Sequence, residues 1–64
     1  AVRVAAALDS LPENQRESVV LHYYQGLPVR EVAERLSKTP AAVAGLLQRG
    51  LRALRGLLAE KEGA

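Results

Sequence analysis

Sixty-four residues that are 48% hydrophobic, with two aromatics and no cysteine, permit one small domain with a modest core and neither a disulfide nor a thiolate metal site to brace it. The formal charge is +2, but it is unevenly spread. Residues 1–37 carry four arginines against five acids, residues 38–59 carry four basic residues and no acid, and residues 60–64 are net −1. His22 has no second histidine to share a metal, no apolar run approaches the roughly 18 residues of a membrane span, and no leader pattern precedes the first helix. The expected compartment is the cytoplasm, with no metal, no cofactor and no membrane partner. Because the chain opens at Ala1 and contains no Met, it is expected to be part of a longer protein.

Punctuation and period divide the chain into four helical segments. The first, Ala-rich, runs from about Val2 to Leu8 and ends near Asp9-Ser10. Leu11-Pro12-Glu13 opens the second, since proline is tolerated in a first turn and Glu13 complements the positive end of the dipole. Val19, Val20, Tyr23 and Tyr24 recur at helical spacing, and Gly26 is a left-handed cap. Both tyrosines are expected in the core, with His22 at the surface beside them. Leu27-Pro28 restarts the chain, and Val29, Val32, Ala33 and Leu36 make one stripe on a short third helix. Ser37-Lys38-Thr39-Pro40 breaks it: Thr39 can cap the next helix, with Pro40 at its first position. The fourth helix is expected to continue to about Ala59, leaving an acidic tail over residues 60–64 that frays. No strand pattern survives, so the fold class is all-α, a small four-helix domain filling residues 1–64 with its core over about 8–59.

The fourth segment holds the strongest functional signal. At about 100° per residue, Val43, Leu46, Leu47, Gly50, Leu51, Ala53, Leu54, Leu57 and Leu58 fall within an arc of about 160°, wide enough to dock on a core. Ala44, Gly45, Gln48, Arg49, Arg52, Arg55 and Gly56 fill the opposite arc. A face with small side chains at one end and arginines at the other suits an anion with a groove, such as duplex DNA.

Segments three and four also read as a helix-turn-helix. Two helices crossing over a turn of three or four residues need a small side chain where their backbones approach, and Ala33 supplies it. Val32, Leu36, Val43, Leu47 and Leu54 complete the core of the motif. Ser37 stands where such turns want a positive φ, and Lys38 follows with its stem along the surface. Gly50 lies on the apolar arc and is a packing residue, whereas Gly45 faces outward, where its bare backbone could approach a phosphate or a base. Arg16 could pair with Glu13, and Arg30 with Glu34, at helical spacing. No paired carboxylates face a nucleophile, and there is no Ser, His and acid set or Gly-rich phosphate loop, so no enzyme is expected.

The stretch LPENQRESVVLHYYQGLPVREVAERLSKTPAAVAGLLQRGLRALR resembles region four of bacterial sigma factors of the extracytoplasmic-function group. The resemblance covers Leu8 to about Leu57 and is carried by Leu11-Pro12 with Arg16, the Tyr23-Tyr24-Gln25-Gly26-Leu27 joint, Val32-Ala33 with Leu36, and Val43 spaced to Leu47, Arg49 and Leu54. It implies a C-terminal domain that reads the −35 promoter element with its last helix in the major groove. The implied partners are double-stranded promoter DNA, the β flap of core RNA polymerase and an anti-sigma factor. Family members commonly carry Lys or Arg where this chain has Ala44, another Arg at Leu46, and Thr at Ala42.

On this reading base contacts fall to Thr39, Gln48 and Arg49 and to the small residues Gly45 and Ala44. Phosphate contacts fall to Lys38, Arg52 and Arg55 with Arg30 and Arg16. The missing cations at Ala44 and Leu46 keep a second reading open: an interaction module that docks on polymerase or an anti-sigma factor with little direct DNA reading. A third is another helix-turn-helix regulator, whose usual dimerisation through the last helix would show in sedimentation.

Overall fold

The computed structural model describes the backbone of residues 2–63 and the side-chain environment of residues 4–59. Helix α1 spans Val2–Asp9, α2 Glu13–Val19, α3 Val29–Leu36 and α4 Pro40–Gly63, with a π-helical turn at Val20–Tyr24 continuing α2. Among the described residues there is no strand. At about 1.5 Å per residue the 24 residues of α4 account for nearly all of the 38 Å long axis of the molecule. The other elements lie along this rod: α1, α2 and α3 each pack on α4, and α3 also touches the π turn. The helix runs on to Gly63, beyond the end near Ala59 that the sequence suggests. No described helix is long and apolar enough to cross a membrane.

One core serves all four helices. Ala7 and Leu11 come from the first helix and its turn, Val19 from α2, Val32 and Ala33 from α3, and Val43, Leu47 and Leu54 from α4. Val32 and Val43 are completely buried, one on each side of the helix-turn-helix joint. Leu36, expected with them, is half-buried at the edge of this cluster. Ser18 is the one buried polar side chain among the described residues; its hydroxyl donates to the Asn14 carbonyl at 2.9 Å, which meets its need without a partner from another helix.

Helices α2 and α4 are held at their crossing by Gly50. A Cβ placed there would sit 2.9 Å from Val19 Cγ2 and 3.7 Å from Gln15 Cβ, so a hydrogen is the largest side chain the crossing accepts. This is the packing role expected of Gly50.

The turn between α3 and α4 is a Schellman cap built on serine. Ser37 has φ 56° and ψ 46°, the left-handed conformation expected at this position. The Ser37 amide donates to the Glu34 carbonyl at 3.3 Å and the Lys38 amide to the Ala33 carbonyl at 2.8 Å, which satisfies the end of α3. A side chain here opposes the backbone geometry, so Ser37→Gly should raise stability by up to about 1 kcal/mol. Chemical denaturation checks this, and a loss of stability would mean that the serine side chain contributes more to the turn than its backbone strain removes.

The joint after α2 departs from expectation. Gly26 has φ 77° as anticipated, but residues 20–24 widen into a π turn in which the Gln25 amide donates to the Val20 carbonyl and the Leu27 amide to the Leu21 carbonyl, each at 3.0 Å. The widened turn changes the phase of the residues after Val19. Tyr23 and Tyr24, expected in the core, are 52% and 61% exposed, and Leu21 and Leu27 pack against the core instead. His22, expected at the surface, is half-buried. Its Nδ1 lies 2.7 Å from the Leu27 carbonyl, which can only accept, so Nδ1 carries the proton. The ring meets Tyr23 edge-on at 4.7 Å between centroids.

Candidate nucleic-acid interface

The outward face of α4 begins at its cap. Thr39 Oγ1 accepts from the Ala42 amide at 3.1 Å and the Thr39 carbonyl from the Val43 amide at 3.0 Å. The threonine therefore closes the first turn, and its hydroxyl proton stays available to a ligand. Pro40 follows as the first helical residue, where its missing N–H has no intrahelical partner to lose. With Val43, Leu46, Leu47 and Gly50 buried beneath, the residues exposed on the outer surface of this half are Pro40, Ala41, Ala42, Ala44, Gln48 and Arg49, with Gly45 half-buried among them. The alanines form a low, uncharged platform, bordered by the amide of Gln48 and the guanidinium of Arg49.

One helical turn further along, Gln48, Leu51, Arg52 and Arg55 line a shallow open groove. Arg49, Arg52 and Arg55 are all exposed; spaced three residues apart, they form a basic band about 9 Å long along the axis. No acid stands between them: α4 has no acidic residue before Glu60.

The remaining basic residues assigned from sequence stand apart from this band. Lys38 lines a shallow depression with Glu13, Asn14, Glu17 and Leu36, so it stands beside two acidic residues of α2. Arg16 is half-buried and lines a second groove with Glu17, Val20, Leu21 and Leu36. Arg30 is exposed near the start of α3. Among the described residues neither the Arg16–Glu13 nor the Arg30–Glu34 pairing forms. The ion pair on this side is Arg35 Nη2 to Glu31 Oε2 at 3.5 Å, spaced i, i+4.

The departures from the family pattern at Leu46 and Ala44 differ in their surroundings. Leu46 is 6% exposed, so in this chain position 46 belongs to the buried side of α4 and not to the outer face. Ala44 is exposed and leaves the face short of a cation. Gly45 is not the open stretch of backbone that the sequence suggests: a Cβ built on it would lie 3.2 Å from Arg49 Nη1 and 3.7 Å from its Cζ. The arginine folds back over the glycine. The helical direction of long side chains, back toward the N-terminus, is the signal that could have foretold this contact.

Among the described residues there is no group of three or more His, Cys, Asp or Glu side chains able to hold a metal ion. The chemistry that the face offers is that of recognition: hydrogen-bond donors, positive charge and small apolar surfaces on one rigid element.

Comparison with known proteins bears on the family of the chain. A family model described as Sigma-70, region 4 matches residues 1–54. The ECF RNA polymerase sigma factor SigK of Mycolicibacterium vanbaalenii is 46% identical over 56 residues, 88% of this chain and 29% of the relative. Proteins of the same name from Mycobacterium sp. strain KMS and from Mycobacterium ulcerans are 39% and 38% identical over the same length, which is 29% and 30% of those relatives. The chain thus spans about three tenths of the length of the curated relatives it matches. With a helix-turn-helix whose second helix carries a one-sided basic face, and a family match over residues 1–54, the chain belongs to the region 4 family of sigma-70 factors, in its extracytoplasmic-function branch.

Proposed function

We propose that this domain reads the −35 element of promoter DNA for an alternative sigma factor, acting with RNA polymerase in the cytoplasm to start transcription at selected promoters. The observation that carries the proposal is the outer face of α4, with its acid-free arginine band next to a low platform of alanines (Arg49, Arg52, Arg55, Ala41, Ala42, Ala44). A helix of this shape fits the major groove, about 12 Å wide. Arg52 and Arg55 meet phosphates, which position the domain without reading sequence. Arg49 offers a fork to guanine, Gln48 a paired contact to adenine, the Thr39 hydroxyl a donor, and Ala44 a surface for a thymine methyl group. Arg30, at the start of α3, is placed to add a backbone contact of the kind the first helix of such motifs makes. Lys38 and Arg16, beside Glu13 and Glu17, contribute less. Docking on the β flap and capture by an anti-sigma factor belong to the same proposal as the expected protein contacts.

The two kinds of contact leave different traces in binding. Arg52→Ala should weaken binding to every duplex alike and reduce the slope of log affinity against log salt by about one, while Gln48→Ala or Arg49→Ala should cost about 1–3 kcal/mol on the best site and relax preference at one or two base pairs. The measurement is salt-dependent binding of the variants to a duplex enriched from a random pool and to its scrambled counterpart. Equal losses on both duplexes for every variant, with polymerase association impaired instead, would favour a docking module over a reader.

A further inference from the structure

Glycine inside an exposed helical face costs about 1 kcal/mol relative to alanine, and Gly45 sits in the middle of the face that α4 turns outward. The bare backbone has an occupant. Of the side chains near it, the closest atoms to a Cβ placed on Gly45 are Nη1, Nη2 and Cζ of Arg49, at 3.2, 3.6 and 3.7 Å. Gly56, further along the same helix and exposed, has nothing within 4 Å of such a Cβ, so the contact at the half-buried Gly45 belongs to that site and is not a general property of the glycines on the outer side of α4.

We infer that Gly45 is a positioning residue for base recognition: it leaves a seat in which the Arg49 guanidinium lies back over the preceding turn. The charge of Arg49 is thereby carried about one turn, roughly 5.4 Å, toward the N-terminal half of α4. That half is otherwise uncharged from Pro40 to Gln48, and Ala44 leaves it short of a cation. The guanidinium is planar and presents its donors in a fixed fork, so a seat that orients the plane also selects which base edge the fork can meet. A methyl group at position 45 would crowd Nη1 at 3.2 Å and touch Nη2 and Cζ at ordinary contact distance. The flexible end of this side chain must then shift and its plane lose the orientation that the bare backbone allows, while the core is left alone because the nearest side-chain atoms met are those of Arg49. The effect on fold and the effect on recognition therefore separate. This inference rests on α4 being the DNA-facing helix, and its test keeps the two ideas apart.

In the free chain, nuclear Overhauser contacts between the Gly45 α-protons and the Arg49 side chain are expected, and their absence overturns the seat outright. For recognition, Gly45→Ala, Arg49→Ala and the double variant are compared on a duplex enriched by the unmodified chain from a random pool and on its scrambled counterpart. Gly45→Ala should melt no lower than the unmodified chain, lose affinity several-fold on the enriched duplex, and bind the scrambled duplex unchanged. In the Arg49→Ala background the same change should have no further effect on either duplex. A loss of equal size with and without Arg49 would mean that Gly45 acts by its own close approach to DNA, which overturns the inference while leaving α4 as the reading helix. If Arg49→Ala leaves binding to both duplexes unaltered, or no duplex is enriched at all, the assignment of α4 to base reading fails and the inference falls with it.

Discussion

Leu54→Ala should destabilise the domain by about 2–5 kcal/mol, the range for deleting most of a buried leucine where the surroundings close only partly over the cavity. Leu54 is 9% exposed and belongs to the cluster shared by all four helices. The full stability of a chain this small lies at the low end of about 5–15 kcal/mol, so the variant would be close to unfolded at ambient temperature. With about 4–8 °C lost per kcal/mol for a domain near this size, thermal melting followed by circular dichroism should fall by about ten degrees or more. A shift of only one or two degrees would show that the second half of α4 does not rest on the core and that α1 holds to the molecule by other means.

The second large effect is a contrast between two glycines of one helix. Gly56→Ala should stabilise by about 1 kcal/mol, because the position is exposed, nothing approaches its Cβ within 4 Å, and alanine is the better helix former. The same substitution at Gly50 gains that propensity but drives a methyl to 2.9 Å from Val19 Cγ2. Val19 is buried and β-branched, with one favoured rotamer in a helix, so the helices must move apart. Overpacking of this kind costs about 1–3 kcal/mol; at 2.9 Å from a stiff, buried side chain the cost falls in the upper part of that range, above the propensity gain, and leaves a net loss. Equilibrium denaturation of the two variants should therefore give shifts of opposite sign. Shifts of the same sign would show that α2 and α4 do not meet at Gly50.

How much of the interface could be read from the chain follows from the range of the forces involved. The arc of Gln48, Arg49, Arg52 and Arg55 was legible because helical period alone decides which side chains oppose the apolar stripe, and the structure keeps all four exposed. Lys38 carries the same charge and adjoins the same helix, yet it lies beside Glu13 and Glu17 of α2. Nothing in the spacing of residues 38 and 13 reveals that proximity, since it depends on how α2 is laid across the turn.

Local chemistry was sufficient for the boundaries and caps. Thr39-Pro40, Gly26 and Ser37 each act through hydrogen bonds within a few residues of themselves or through their own φ, Ser37 by its position in the turn and against the preference of its residue type. The four-helix reading, the buried valines at the helix-turn-helix joint and the one-sided basic face share this origin. Tertiary structure alone decided the π turn, which places Tyr23 and Tyr24 in solvent while Leu21 and Leu27 approach the core. A period of 3.6 residues cannot anticipate one widened turn, because the residues it brings to the core, Leu21 and Leu27, pack against a cluster whose members come from helices far apart in the chain.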